Sequence, residues 1–525
     1  MHRRIFPPRL LTAYFLLLLL GMGTGQGTAQ ESHTSPVFKD YRPPRPGAIV
    51  EQSDVTYQLW HTFDLMQRAG GGDMLAQQEL AVRYLTGRGV KADTARGAFW
   101  TIKAAAWDML PARFNLGILF TNGWGLDWNP FEAYNQFLWC AERGMPESQY
   151  ALATIFMEDL VVQKNWGEAR RWLRAAMDSG YAPARTLLEN MLQRGEPGAP
   201  DTLAQTPRDT TLYPPAGSML PWAPVFLDFE ADTGSSVEDA VLLADLLRES
   251  DGEHLRSLGL NDSVKRLEET GPAVLEAVKR SADAGSPEAL TLLGRCHERG
   301  IGLPQDLVEA AALYVRAVRL DSPTALELLM KLLDDSEAVP LLRSRATSGD
   351  PAASFTLASL VGLRLSHPLL RNRTWITENE AVRLLQRAGA RGFLPALVEL
   401  GLWYYAGRLV PPDRDRALAL WEDAAKRGSL EARVRLAVAG LESERPPGDS
   451  LLGFLAEAME SGSVLAQVAL GYCEEKGVGV GRNSARAARL YRNAAQRGSQ
   501  DAYRALLRMH DAIRPPGTQF EVREN

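Results

Sequence analysis

Apolar and polar positions follow the period of a helix along most of this chain. In the stretch 396–432, Ala396, Leu400, Gly401 and Tyr404 fall at i, i+4, i+5 and i+8, which is one helix face. The face breaks at Gly407 and at Pro411 and Pro412, after which Asp413 offers a side chain able to cap a second helix. Ala417, Leu420, Trp421, Ala424 and Ala425 mark a second apolar face, and Gly428 closes it as a left-handed C-terminal residue would. The pattern predicts a helical hairpin in which the small residues Gly401 and Ala424 allow close approach. Ala432 then starts the pattern again, 36 residues after Ala396.

The same period recurs. Starting positions fall at Ala76, Ala112, Ser148 and Ala184, each 36 apart, and resume at Ala289, Ala325, Ala353, Ala396, Ala432, Ala466 and Ala502. Leu80, Leu116, Leu152, Leu293, Leu400 and Leu470 hold the first apolar slot, each followed by Gly or Ala. Seventeen residues after the start come Asp93, Asn129, Asn165, Asp306, Asp413 and Asn483. These are helix caps, a structural use for side chains that could otherwise suggest catalysis. Gly144, Gly180, Gly428 and Gly498 end second helices, and Pro111, Pro183 and Pro395 open new hairpins. Such agreement of cap, core and turn predicts an all-α array of stacked hairpins.

The array is divided. Residues 59–195 form a first run of repeats and 236–512 a second, with 236–284 a degenerate start to it. Seven prolines between Pro197 and Pro224 predict a linker over 196–235. A Pro-rich tether is expected over 30–58 and a disordered tail over 513–525.

These residues resemble the Sel1-like repeat family, with units close to A-x-x-x-L-G-x-x-Y-x-x-G-x-G-V-x-x-D-x-x-x-A-x-x-W-x-x-x-A-A. The best matches are Leu80 to Ala105 (with Gly87, Gly89, Val90 and Asp93), Ala289 to Ala317, Ala396 to Ala425 and Ala466 to Ala495. The resemblance implies a right-handed α-solenoid of antiparallel hairpins, about 36 residues each, related to tetratricopeptide arrays. It implies a scaffold that binds other proteins, and it supplies no catalytic residues.

Composition adds compartment and excludes some partners. Arg3, Arg4 and Arg9 precede an apolar run from Leu10 to Leu20, with Gly27 and Ala29 placed for cleavage before Gln30. Residues 1–29 therefore read as a signal peptide, and the mature chain as periplasmic with no membrane span after cleavage. The alternative is an uncleaved anchor. The formal charge of −6 becomes −9 without those three arginines, so no basic footprint marks a nucleic-acid partner.

No nucleophile, phosphate-loop or metal motif appears in context, so the sequence points to no enzyme, no cofactor and no metal. The glycines at 477, 479 and 481 sit in an inter-helix turn where the repeat already demands glycine. Cys296 and Cys473 share a repeat offset but lie five units apart, too far for a disulfide, which needs Cα atoms within about 7 Å. Buried free thiols are expected. Seven of the twelve tryptophans crowd into 100–172, and this cluster stands out. Trp100 and Trp172 share an offset that Trp421 nearly repeats, and are read as core. Trp124, Trp128 and Trp166 fall in inter-helix turns, and Trp403 is read as lining the inner face. These four are the candidate partner-binding residues, since exposed aromatics anchor partners or stack on sugars. The function expected is an exported, non-enzymatic adaptor for envelope assembly or stress signalling. Its groove would hold an extended peptide or helix. The rivals are a cell-wall or β-lactam-directed hydrolase, and a scaffold binding polysaccharide or peptidoglycan.

Overall fold

The computed structural model describes residues 38–40, 55–193, 225–227, 272–364, 370, 375–441 and 449–522. The signal region 1–29, most of the 30–58 tether and most of the 196–235 linker lie outside the described residues, as does 236–271.

Two three-residue strands, β1 (Phe38–Asp40) and β2 (Val225–Leu227), pair antiparallel, with Phe38 opposite Leu227. Every other regular element among the described residues is helical. The first run is α1 (Val55–Gly70), α2 (Met74–Thr86), α3 (Thr94–Ala105), α4 (Leu110–Asn122), α5 (Pro130–Glu142), α6 (Pro146–Phe156), α7 (Trp166–Asp178) and α8 (Ala182–Gln193). The second run opens with α9 (Pro272–Ala284), α10 (Pro287–Arg299), α11 (Leu307–Arg319), α12 (Pro323–Asp334) and α13 (Ala338–Ser348). It continues through α14 (Pro351–Arg364), α15 (Glu378–Ala390), α16 (Leu394–Ala406), α17 (Arg414–Lys426) and α18 (Leu430–Leu441). It closes with α19 (Asp449–Glu460), α20 (Val464–Lys476), α21 (Ser484–Gln496) and α22 (Gln500–Asp511). Consecutive helices pack on one another, as an α-solenoid requires.

Local chemistry accounts for the hairpins. All six residues read as caps accept backbone N–H groups at the start of their helices: Asp93, Asn129, Asn165, Asp306, Asp413 and Asn483. Within each hairpin a small residue on the first helix faces a ring on the second. A Cβ added at Gly117 would lie 2.6 Å from the Phe137 ring, and one at Gly471 2.7 Å from the Tyr491 ring. Gly294 against Tyr314 and Gly401 against Trp421 repeat the arrangement. The indole of Trp421 also donates to the Val398 carbonyl at 3.1 Å.

This slot lies 25 positions after each starting alanine, which corrects one expectation. Trp100 falls one position early and is only half-buried, while Thr101 fills the slot and donates to the Gly97 carbonyl at 2.9 Å. Trp172, also one early, is buried.

The array also folds back on itself. Arg497, after α21, donates to both carboxylate oxygens of Glu288 at the start of α10, each at 2.8 Å. The amide of Gln500 donates to Asp321 at 3.0 Å. The end of the chain reaches the first run too: Arg492 pairs with Glu158 at 3.3 Å, and the Trp128 ring meets His510 edge-on at 5.1 Å. The tail expected to be disordered over 513–525 is ordered through residue 522. Arg514 donates to the carbonyls of Leu160 and Val161, and Phe520 packs on Phe131 and Tyr134. Two anchors hold a segment that has no helical period to announce it.

Candidate functional site

The four tryptophans singled out do not form one site. Trp403 is the largest fully buried side chain, 1% exposed. It packs beside Gly362 of α14, and its Nε1 donates to Glu399 at 2.7 Å. The reading of Trp403 as a surface contact is therefore corrected: its repeat position faces the preceding hairpin, and Gly362 leaves room for the indole. Trp124, Trp128 and Trp166 are half-buried in the first run. Trp128 lies against His510, Trp166 carries the Lys164 ammonium at 4.4 Å over its ring, and Trp124 and Trp166 pack on the first-run core. These three meet the array's own residues.

Charged side chains fill one gap between the helices of the second run. Arg319 of α11 forms a two-point ion pair with Glu399 of α16, its Nε at 3.0 Å from the carboxylate. Next to it, Glu431 of α18 meets Arg435 at 2.8 Å and Arg316 at 3.6 Å. Burial pushes the Glu431 carboxyl up, but the two guanidiniums outweigh it and hold it below the usual range. The space left among these groups is about 10 Å³, room for a single water at most. No peptide enters there.

The three cysteines are buried as free thiols. Burial pushes Cys140 up to about 12 and Cys296 and Cys473 to about 11, so all three stay protonated at neutral pH and unreactive. Among the described residues no group of His, Cys, Asp and Glu side chains is arranged to hold a metal. Among them, too, no helix is long and apolar enough to cross a membrane.

Several large apolar side chains that face water are not among the four candidates. Phe99 and Ile102 of α3 are 51% and 43% exposed, and Trp107 just after α3 is 60% exposed. Phe63 of α1 is exposed as well. At the Phe99 position the other matched units carry Asn135, Arg171, Ala312, Ala419 and Arg489, so a large apolar side chain there departs from the register. Ile102 stands where Leu138, Arg174, Val315, Glu422 and Arg492 stand in other units. Lys103 lies 5.7 Å from the Phe99 ring, and Arg96 is exposed one turn earlier.

Comparison with known proteins settles what the repeating unit is. The family model for the Sel1 repeat matches residues 75–106, 110–135, 146–181, 287–322, 394–429 and 464–499. The chain carries six Sel1 repeats. Three of these Sel1 units lie in the first run and three in the second; the hairpins between them, such as α18–α19, fall outside the matched segments. The chain is 33% identical over 100 residues to the mouse DAP3-binding cell death enhancer 1, and 31% identical over 100 residues to the rat protein of that name. Each match covers 19% of this chain and 20% of the relative, so the chain spans about a fifth of the length of these curated relatives. Among solved structures, a protective antigen of uropathogenic Escherichia coli displaying an SLR fold is 19% identical, with 89% of both chains covered and a TM-score of 0.29. A Sel1 repeat protein from Oxalobacter formigenes is 28% identical over 25% of this chain and 99% of that one, with a TM-score of 0.24. Phe99, Ile102 and Trp107 all belong to the first Sel1 unit or its exit turn.

Proposed function

We propose that this Sel1-repeat chain is an exported, non-enzymatic scaffold that holds a partner protein on an exposed face of its first repeat. The observation that carries the reading is the exposed stripe of Phe99, Ile102 and Trp107, three large apolar side chains on α3 or just after it. Contiguous exposed apolar side chains are costly in water and mark interaction surfaces. Lys103 borders the stripe, so the complementary partner is an apolar protein segment with an acidic residue beside it. The mouse relative is itself named for binding a protein, which supports the same class. Arg3, Arg4 and Arg9 ahead of the Leu10–Leu20 run support export, with the partner in the periplasm or envelope.

The test uses the full chain carrying Phe99→Asp and Trp107→Asp, with crosslinking capture from an envelope fraction and mass spectrometry. Recovery of the specific partner should fall about tenfold or more, as for loss of interface anchors, with helicity by circular dichroism unchanged. Equal recovery by both chains would remove this surface from the function.

A further inference from the structure

The segment Arg514–Phe520 lies on the first run as a bound peptide lies on a receptor. Its two ends are inserted, and the Gln519 side chain hydrogen-bonds Tyr134. Arg514 donates from Nη2 to the Leu160 carbonyl at 2.9 Å and from Nη1 to the Val161 carbonyl at 3.3 Å. Its guanidinium stands 5.2 Å from the centre of the Phe131 ring, and Asp511 neutralises it at 2.8 Å. Six residues on, Phe520 is 7% exposed and meets Phe131 and Tyr134 edge-on, at 5.1 and 5.8 Å between ring centres. Between the anchors, residues 516–519 stay in solvent. Arg514 Nη1 also donates to the Phe520 carbonyl at 2.7 Å, so the segment is a closed curl around Gly517, whose φ of 136° suits only glycine.

The receiving surface is unusual among the repeats. The turn between α6 and α7 has Asp159 and Val161 where α2, α4, α10 and α20 are followed by the glycine pairs Gly87 and Gly89, Gly123 and Gly125, Gly300 and Gly302, and Gly477 and Gly479. In place of glycines it buries Leu160, Val161 and Val162 and turns two carbonyls toward the incoming guanidinium. Glu158 in the same turn adds negative charge and is met by Arg492 at 3.3 Å. An aromatic slot beside a pair of carbonyls accepts an arginine and an aromatic side chain together.

We infer that the first run carries a two-anchor peptide site, taking a protein segment with an arginine six residues ahead of an aromatic residue, and that the chain's own C-terminal segment occupies it as a resident competitor. This rests on the scaffold reading but uses a different surface from the α3 stripe. A tethered ligand acts at a high effective concentration, so a competing segment in trans is shut out until the resident one is released.

The experiment compares the full wild-type chain with the full chain carrying Arg514→Ala and Phe520→Ala. The probe is a fluorescent peptide of residues 510–522, followed by anisotropy. The double variant should bind it with an affinity about a hundredfold or more above that of the wild-type chain. The same peptide with Phe520→Ala should not bind the double variant. Equal binding by both chains, no binding by a helical double variant, or equal binding of the two peptides overturns the inference. Should the double variant lose helicity, Phe520→Ala alone, which keeps the Arg514 bonds, is read the same way. Loss of helicity there too makes the segment part of the core and also overturns it. Envelope capture through Phe99 and Trp107 is read separately, so failure of one proposal leaves the other standing.

Discussion

Tyr491 and Gly471 illustrate how much of this molecule is set by single side chains. A methyl group at 471 would meet the Tyr491 ring at 2.7 Å, and that ring is fixed by a 3.0 Å bond from its hydroxyl to Glu475. Neither can move cheaply, so Gly471→Ala should cost about 1–3 kcal/mol of stability as overpacking, read from urea denaturation. His510 carries a second residue-scale prediction. It is fully buried, its Nδ1 donates to the Leu506 carbonyl at 2.7 Å, and its Nε2 has no hydrogen-bond partner among the described residues. Burial holds its pKa down at about 3, with Arg492 and Arg514 adding to the effect and the Leu506 bond opposing it. The unfolded chain protonates at the ordinary 6.5. Between those values the unfolded state binds more protons, so this contribution is complete above pH 6.5 and is lost as pH falls toward 3. The denaturation midpoint should therefore drop from pH 7 to pH 5, and His510→Phe should flatten that drop. Equal slopes for the two chains would show that His510 is not the group responsible.

At the scale of the element, the hairpin was the most legible feature. A cap needs only one side chain at one offset, so Asp413 could be assigned from its position alone, and the structure has it accepting from Arg416 N at 2.9 Å. Asp413→Ala should cost about 1 kcal/mol, and Asp413→Asn little, by thermal denaturation. A loss as large for asparagine would mean that charge and not capping sets the energy. Side-chain direction was less legible. An error of one position in the aromatic slot placed Trp100 in the core, because 24 and 25 residues differ by about 100° around a helix. Trp403 was read as facing a groove because the pattern shows which residues share a face but not which neighbour covers it. Exposure of Phe99 could have been found by reading the unit against its sister units. The same comparison marks the glycine-free α6–α7 turn.

At the scale of the whole molecule, the decisive contacts join residues that no period relates. Arg497 binds Glu288 at 2.8 Å and the Gly462 carbonyl at 2.6 Å, tying the start of the second run to its end. Arg497→Ala should cost about 1–3 kcal/mol, the value of hydrogen bonds to charged groups. Hydrogen exchange should quicken at both α10 and α20, though 209 residues separate Arg497 from Glu288. Faster exchange at only one of them would mean that the two ends are not coupled. Such pairings escape periodicity because an arginine at a repeat's exit turn reads as an ordinary surface charge.

The fold-back has a kinetic consequence. A linear repeat array gains stability from neighbours and can begin to form anywhere along its length. The contacts of Arg514 with Leu160 and Val161 span more than 350 residues, so they become favourable only once the intervening hairpins have shortened the path. They close last on folding and open first on unfolding. Strain applied to the two ends would be felt first at that clasp, leaving the hairpins between them intact.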